Sequence, residues 1–159
     1  MAGENIITGV LNKYGAQISA DVKDTIKRKP LTKYGVVNAS GKLADSVHYD
    51  IKDAVMRVYS LDYIYYLEKG RKNGKRPPRK AIEQWIKDKG IVSQLKLSSL
   101  AYLIQRKIGE QGTTAYIQGG TKLLEDIVND EVRGNIQSEL ILNMQKLVLS
   151  TMKSNIVGK

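Results

Sequence analysis

The sequence predicts an α+β fold, in which a small antiparallel hairpin is flanked by a long N-terminal helix, short helices and a long C-terminal helix. Apolar residues recur at helical spacing near both ends of the chain, whereas they alternate with polar residues in a short central stretch. Proline and glycine residues mark the boundaries of the elements that lie between the two long helices. The sequence contains no internal repeat and no second domain, so we expect one domain over residues 1–159.

The first helix is predicted from Asn5 to Lys29. Its apolar residues recur every three or four positions, at Ile7, Val10, Leu11, Tyr14, Ile18, Val22 and Ile26. Gly9 and Gly15 should each weaken this helix by about 1 kcal/mol relative to alanine. Pro30 ends it, and residues 31–42 are expected to form a loop.

A hairpin is predicted over Val47 to Tyr59, where the apolar period changes from helical spacing to alternation. The Lys52-Asp53 pair is the expected turn. A short helix follows, which Asp62 can cap and Gly70 can end in the left-handed conformation.

Two further helices and a final long one are expected. Pro77 and Pro78 open a helix from about Arg79 to Lys89, with Ile82, Trp85 and Ile86 on one face, and Gly90 ends it. Ser98 caps a helix that runs to about Gly109, with Leu100, Leu103, Ile104 and Ile108 facing inward.

The end of the chain completes the prediction. Residues 115–117 are expected to be extended, and Thr121 to cap a last helix from about Lys122 to Ser154. Its apolar stripe contains Leu123, Leu124, Ile127, Val128, Val132, Ile136, Leu140, Met144, Leu147 and Val148. Its roughly 33 residues would span about 50 Å, so this helix must lie along one side, kink or reach a neighbour.

Composition removes several classes of chemistry. The chain has no cysteine and one histidine, which excludes disulfides, thiolate catalysis and cysteine-based or multi-histidine metal sites. No stretch is long and apolar enough to span a membrane, and the N-terminus lacks the pattern of a signal peptide. We therefore expect synthesis in a cytoplasm. A net charge of +10 favours polyanionic partners.

The most concentrated charge lies in the segment from Lys69 to Lys80, called here the basic loop. It contains no acid and seven cations: Lys69, Arg71, Lys72, Lys75, Arg76, Arg79 and Lys80. Two glycines predict a mobile loop that meets a polyanion, whereas the alternative is a solvated loop or one that pairs with acids on a neighbouring subunit. No aromatic residue interleaves with the charges and no groove-entering motif is present, so sequence-specific DNA contact is not expected. The glycine spacing and Arg76 exclude a phosphate-binding loop of the ATPase type.

No residue is indicated as catalytic. His48 lies on the polar face of the predicted strand, without a second histidine or a cysteine. The closest acidic pairs, Asp50 with Asp53 and Glu125 with Asp126, have the sequence context of turn and surface charges. We expect no enzyme, no cofactor and no metal.

The chain has nine tyrosines, and Tyr63, Tyr65 and Tyr66 are close together in the short helix. Tyr63 and Tyr66 share a helix face and are expected to pack against the core. Tyr65 points elsewhere. All three are candidates for a subunit interface, where tyrosine is enriched.

Two segments resemble the tail-completion (neck, minor tail Z-like) family of tailed phages. They are Ser40-Gly41-Lys42-Leu43-Ala44-Asp45-Ser46 and Tyr66-Leu67-Glu68-Lys69-Gly70-Arg71, the second followed by a basic loop with prolines. Residues 85–91, 101–104 and 108–113 look like the version carried by Bacteroides-infecting, crAss-like phages. The resemblance covers roughly residues 31–120, and the long C-terminal helix exceeds that of shorter members.

The resemblance implies a virion structural protein, made in the host cytoplasm and placed in the neck or tail. Its partners would be further copies of itself in a ring of six or twelve, the portal or adjacent ring proteins, and viral DNA that passes through the lumen. It implies no catalytic residue, cofactor or membrane. The alternative from the residues alone is a small, basic, non-specific DNA-binding protein, and an enzyme such as a nuclease is a distant third.

Overall fold

The computed structural model describes residues 2–28 and 39–157, which form eight helices and one hairpin in these ranges. The elements in chain order are α1 (Ala2–Arg28), α2 (Lys42–Ser46), β1 (His48–Lys52), β2 (Val55–Tyr59), α3 (Tyr63–Lys69), α4 (Arg79–Asp88), α5 (Leu97–Gln111), α6 (Thr114–Ile117), α7 (Leu123–Ile127) and α8 (Asp130–Val157). The predicted α+β class is therefore confirmed. The end of the first helix after Arg28 and the predicted loop as far as residue 38 lie outside the described residues.

The described residues group into two compact units. Residues 2–21, 48–59 and 125–157 form the first unit, which holds most of α1, the hairpin and α8. Residues 22–28, 39–47 and 60–124 form the second unit, which holds the end of α1, the basic loop and the helices α2 to α6.

The first unit is built on the apolar stripe of α1. Val10, Leu11, Tyr14 and Ile18 are buried, as their helical spacing predicted. The Tyr49 ring lies directly over Gly15, where an added Cβ would be only 2.5 Å from the ring carbon Cδ2. Gly15 thus permits the hairpin to approach α1 closely.

The hairpin is confirmed, and its turn lies one residue later than predicted. The strands pair antiparallel with Lys52 opposite Val55, which leaves Asp53 and Ala54 as the turn. Both turn residues have positive φ, 55° and 57°, as a two-residue hairpin turn of type I′ requires. These φ values match the right-handed twist of the two strands. The twist therefore determines the type of turn, although neither turn residue is glycine.

The second unit has its own core. The buried apolar side chains in it come from nearly every element: Val22, Ile26, Leu43, Ala44, Val47, Leu67, Ile86, Ala101 and Leu123. The helix from Arg79 is confirmed, with Pro78 before its first residue, Ile86 buried and Gly90 just beyond its end at φ 62°.

Three local predictions in the second unit are wrong. Residues 115–117 are helical and not extended, because the Thr113 side chain accepts a hydrogen bond from the Tyr116 N–H and caps α6. Ser98 lies inside α5, whose cap position is Lys96. Leu103, which was expected to face inward, is 41% exposed, whereas Ala101 on α5 is fully buried.

The predicted continuous helix from Lys122 is also wrong. It is broken between Ile127 and Asp130, because the Asn129 side chain accepts the Val132 N–H at 2.9 Å and starts α8 as a new helix. Thr121 does not cap α7, and its hydroxyl donates to the Leu67 carbonyl oxygen at 3.0 Å.

Candidate polyanion-binding surface

The basic loop joins two helices of the second unit and carries its charge into solvent. Lys69 is the last residue of α3, and Arg79 and Lys80 begin α4. Arg71 is half-buried, and the other six cations are exposed. None of the seven forms an ion pair with a carboxylate in the described ranges. Their charge is therefore available to an external partner.

The start of the loop is fixed against the segment that caps α6. The Arg71 N–H donates to Thr113 Oγ1 at 2.8 Å, and the Arg71 carbonyl oxygen accepts the Thr113 N–H at 2.9 Å. Gly70 has φ 72° and lies against the backbone of Tyr116, where any Cβ would collide with the Tyr116 nitrogen. Only glycine fits this position, because it tolerates the positive φ and has no Cβ.

The rest of the loop is fixed against α5. The Gly74 N–H donates to the Gly109 carbonyl oxygen at 2.8 Å, and the Gln105 side-chain amide donates to the Pro77 carbonyl oxygen at 2.6 Å. The Arg76 side chain crosses Gly109, where an added Cβ would be 2.6 Å from its Cγ. The glycines were expected to make the loop mobile, but Gly70 serves a close backbone approach and the loop is hydrogen-bonded at three places.

Three tyrosine rings lie beside three of the cations, which the sequence did not indicate. Lys69 Nζ is 5.6 Å from the centre of the Tyr65 ring, and the Arg71 guanidinium is 5.3 Å from that of Tyr66. The Arg79 guanidinium is 5.3 Å from the ring of Tyr102, on α5. Such contacts hold a cation in place while leaving its charge exposed. Aromatic residues thus interleave with the charges in space, although not along the chain.

The tyrosines of α3 do not contribute to the core as expected. Tyr66 is 44% exposed, so the prediction that it packs against the core is wrong. Tyr63 is half-buried, with 50% of its surface exposed, and burial raises the pKa of its hydroxyl. Leu67 supplies the buried contact of this helix. Tyr65 is 59% exposed and meets Tyr66 edge to face at 6.0 Å. All three rings are accessible to a partner.

A shallow, open cavity of about 350 Å³ adjoins the Arg79–Tyr102 pair. It is lined by Arg79, Leu95, Ser98, Ser99, Tyr102 and Leu103. The lining holds one cation and no carboxylate, so it extends the basic surface and offers no acid–base pair.

The other residues considered for chemistry belong to other elements, on the hairpin and on α7. His48 is exposed on β1 and stacks on Tyr59, with ring centres 5.3 Å apart. Asp50 is exposed on β1, Asp53 is in the hairpin turn, and Glu125 and Asp126 are exposed on α7. Over residues 2–28 and 39–157, no three His, Cys, Asp or Glu side chains are grouped so as to hold a metal ion.

None of the helices in the described part of the chain combines the length and the apolar character that crossing a membrane requires. We found no family model, no curated protein and no solved structure that matches the chain.

Proposed function

We propose that the protein is a structural subunit of the neck or tail-completion ring of a tailed phage, and that its basic loop contacts the DNA backbone without reading sequence. The observation that carries the DNA contact is that the seven cations of the basic loop form no ion pair with a carboxylate of residues 2–28 and 39–157, while hydrogen bonds hold the loop in place. The assignment to a phage ring rests on the resemblance of residues 40–46 and 66–71 to tail-completion proteins.

The chemistry of the loop suits phosphates better than bases. Lysine and arginine neutralise phosphates and release counterions, which gives affinity for any sequence. Base reading requires an element that enters a groove, and the loop is held against α5 by the Gly74 and Gln105 hydrogen bonds. A ring around a DNA path needs this kind of contact, because DNA of every sequence has to pass.

A charge-neutral loop variant tests the DNA contact. The variant replaces four loop cations with glutamine: Lys72, Lys75, Arg76 and Arg79. We expect weaker binding to every duplex sequence, and a slope of log affinity against log salt that is shallower by up to about 3.6, near 0.9 for each lost phosphate contact. Fluorescence anisotropy over a range of salt concentrations measures both quantities.

The matched control removes the same charge elsewhere. It replaces four exposed lysines outside the loop with glutamine: Lys52, Lys87, Lys96 and Lys107. If the control variant loses as much affinity and slope as the loop variant, only net charge matters and the loop is not the contact.

The ring is tested by the mass of the purified protein in solution, measured by light scattering at low and high salt. A closed oligomer of six or twelve copies that keeps its mass at high salt supports the ring. In infected cells, the loop variant should form this oligomer normally while particle assembly or DNA ejection fails.

One observation favours the alternative, a small DNA-binding protein that acts away from the particle. The pairing of Tyr65, Tyr66 and Tyr102 with cations is typical of surfaces on which single-stranded bases stack. A monomer with higher affinity for single strands than for duplex would select this alternative.

A further inference from the structure

The basic loop contains the only asparagine of the sequence that is followed by glycine, Asn73 before Gly74. Both residues are exposed, and an added Cβ at Gly74 would have no atom within 4 Å. Because glycine has no side chain, nothing on Gly74 itself hinders its backbone nitrogen. Attack of this nitrogen on Asn73 Cγ would close a five-membered ring, and the surroundings leave room for that ring.

We propose that Asn73 is a modification site, at which asparagine converts without an enzyme to aspartate or isoaspartate. The Gly74 nitrogen loses its proton and forms a bond to Asn73 Cγ. The bond from Cγ to the side-chain nitrogen breaks, and this nitrogen takes up a proton from solvent and leaves as ammonia. One water then opens the succinimide ring at either of its two carbonyl carbons, which breaks a carbon–nitrogen bond and leaves a carboxylate at position 73.

The charges of the loop favour the first step. Loss of the proton leaves a negative charge on the Gly74 nitrogen, and nearby cations favour the charged form of such a group. Lys72 and Lys75 flank the Asn-Gly pair, and the basic loop as a whole holds seven cations and no acid. We therefore expect the reaction to be faster here than at the same pair in a neutral loop.

A hydrogen bond of the folded loop opposes the same step. The Gly74 N–H donates to the Gly109 carbonyl oxygen at 2.8 Å, so the proton that has to leave is held by an acceptor. The Gln105 side-chain amide, which donates to the Pro77 carbonyl oxygen at 2.6 Å, fixes the loop to α5 a few residues further on. Conversion thus requires the loop to separate from α5, and its rate reports how often this happens.

The other asparagines of residues 2–28 and 39–157 lie in a different setting. They belong to α1 or α8, apart from Asn129, whose side chain accepts the Val132 N–H at the start of α8. Inside a helix the backbone is fixed and the amide that follows is hydrogen-bonded. Asn135 is exposed on α8 and is followed by Ile136, so it provides a reference site in the same chain.

The modification changes the loop itself. A carboxylate at position 73 lies between Lys72 and Lys75 and lowers the positive charge of the basic loop by one. The isoaspartate product also lengthens the main chain by one carbon, next to the nitrogen that donates to Gly109. Under the proposed function, on which this consequence rests, the modified loop binds phosphates more weakly.

Incubation of the purified full-length protein at mildly alkaline pH, followed by peptide mass spectrometry, tests the site. We expect conversion at Asn73 and no comparable conversion at Asn135 in the same samples. The protein unfolded in guanidinium chloride should convert several-fold faster at Asn73. Gln105→Ala, which loosens the loop from α5, should fall between the two, whereas Gln137→Ala, an exposed change on α8, should follow the wild type. Circular dichroism checks that both variants keep their helices.

The outcomes separate this inference from the proposed function. A folded protein in which Asn73 stays intact over several half-lives of the unfolded protein overturns the site, and equal rates in the two states overturn the role of the Gly109 hydrogen bond. For the consequence, Asn73→Asp should bind duplex DNA several-fold more weakly than Asn135→Asp, which adds the same charge on α8. Equal affinities of these two variants overturn the contact of the loop with DNA, whereas the site itself is decided by the mass measurement.

Discussion

Two glycines of α1 have opposite roles that the sequence alone cannot separate. An added Cβ at Gly15 would overlap the Tyr49 ring, whereas Gly9 has no atom within 4 Å of that position. Helix propensity predicts that alanine in place of either glycine raises the stability of the protein. At Gly15, the contact with the hairpin turns this expected gain in stability into a loss.

We therefore expect Gly9→Ala to raise the free energy of unfolding by roughly 0.5–1 kcal/mol, because alanine restricts the unfolded chain. Gly15→Ala should lower it by about 1–3 kcal/mol, because the Tyr49 ring has to move. Urea denaturation of the two variants measures both changes. A similar gain in both would show that the hairpin does not approach α1 at Gly15.

A hydrogen-bonded carboxylate in the first unit gives a pH dependence of stability. Lys13 Nζ lies 2.7 Å from Glu139 Oε2, and the Tyr14 hydroxyl donates to the same oxygen at 3.0 Å. The hydrogen bond from Lys13, and then that from Tyr14, holds the pKa of Glu139 below its ordinary value of 4.5. The contribution of such a carboxylate to stability is present above the unfolded pKa and is lost as the pH falls through the folded pKa.

Glu139→Gln should therefore be less stable than the wild type at neutral pH, and the difference should shrink as the pH falls below 4.5. Thermal denaturation across this range measures the effect. Asp21→Asn, an exposed change within α1, is the control and should follow the wild-type curve. A constant offset between Glu139→Gln and wild type at every pH would contradict the assignment.

At the scale of elements, glycine and proline made two of the short helices, α3 and α4, predictable. Pro78 and Gly90 bound α4, and Gly70 follows the last residue of α3, because these residues act through their own backbone geometry. The break before α8 was missed because apolar spacing continues across it. Asn129 followed by Asp130 and Glu131 is the signal that indicates a helix start.

The Asn129 cap gives a prediction for this element. Asn129→Ala removes the acceptor of the Val132 N–H and should lower the free energy of unfolding by about 0.5–2 kcal/mol. Asn129→Asp keeps an acceptor and should retain most of that stability. Urea denaturation compares the three proteins, and equal losses in both variants would show that the side chain does not act as a cap.

At the scale of the molecule, the sequence predicted the fold class and the basic loop but not the surface around the loop. Charge density along the chain is visible in the sequence. The surface around the loop depends on contacts between residues far apart in sequence. These are the hydrogen bonds of the loop to Gly109 and Thr113, and the contact of Arg79 with the Tyr102 ring. Apolar side chains of α8 such as Leu149 and Ile156 are also exposed. The sequence did not indicate this, because an apolar stripe does not tell which of its sides the described part of the chain covers.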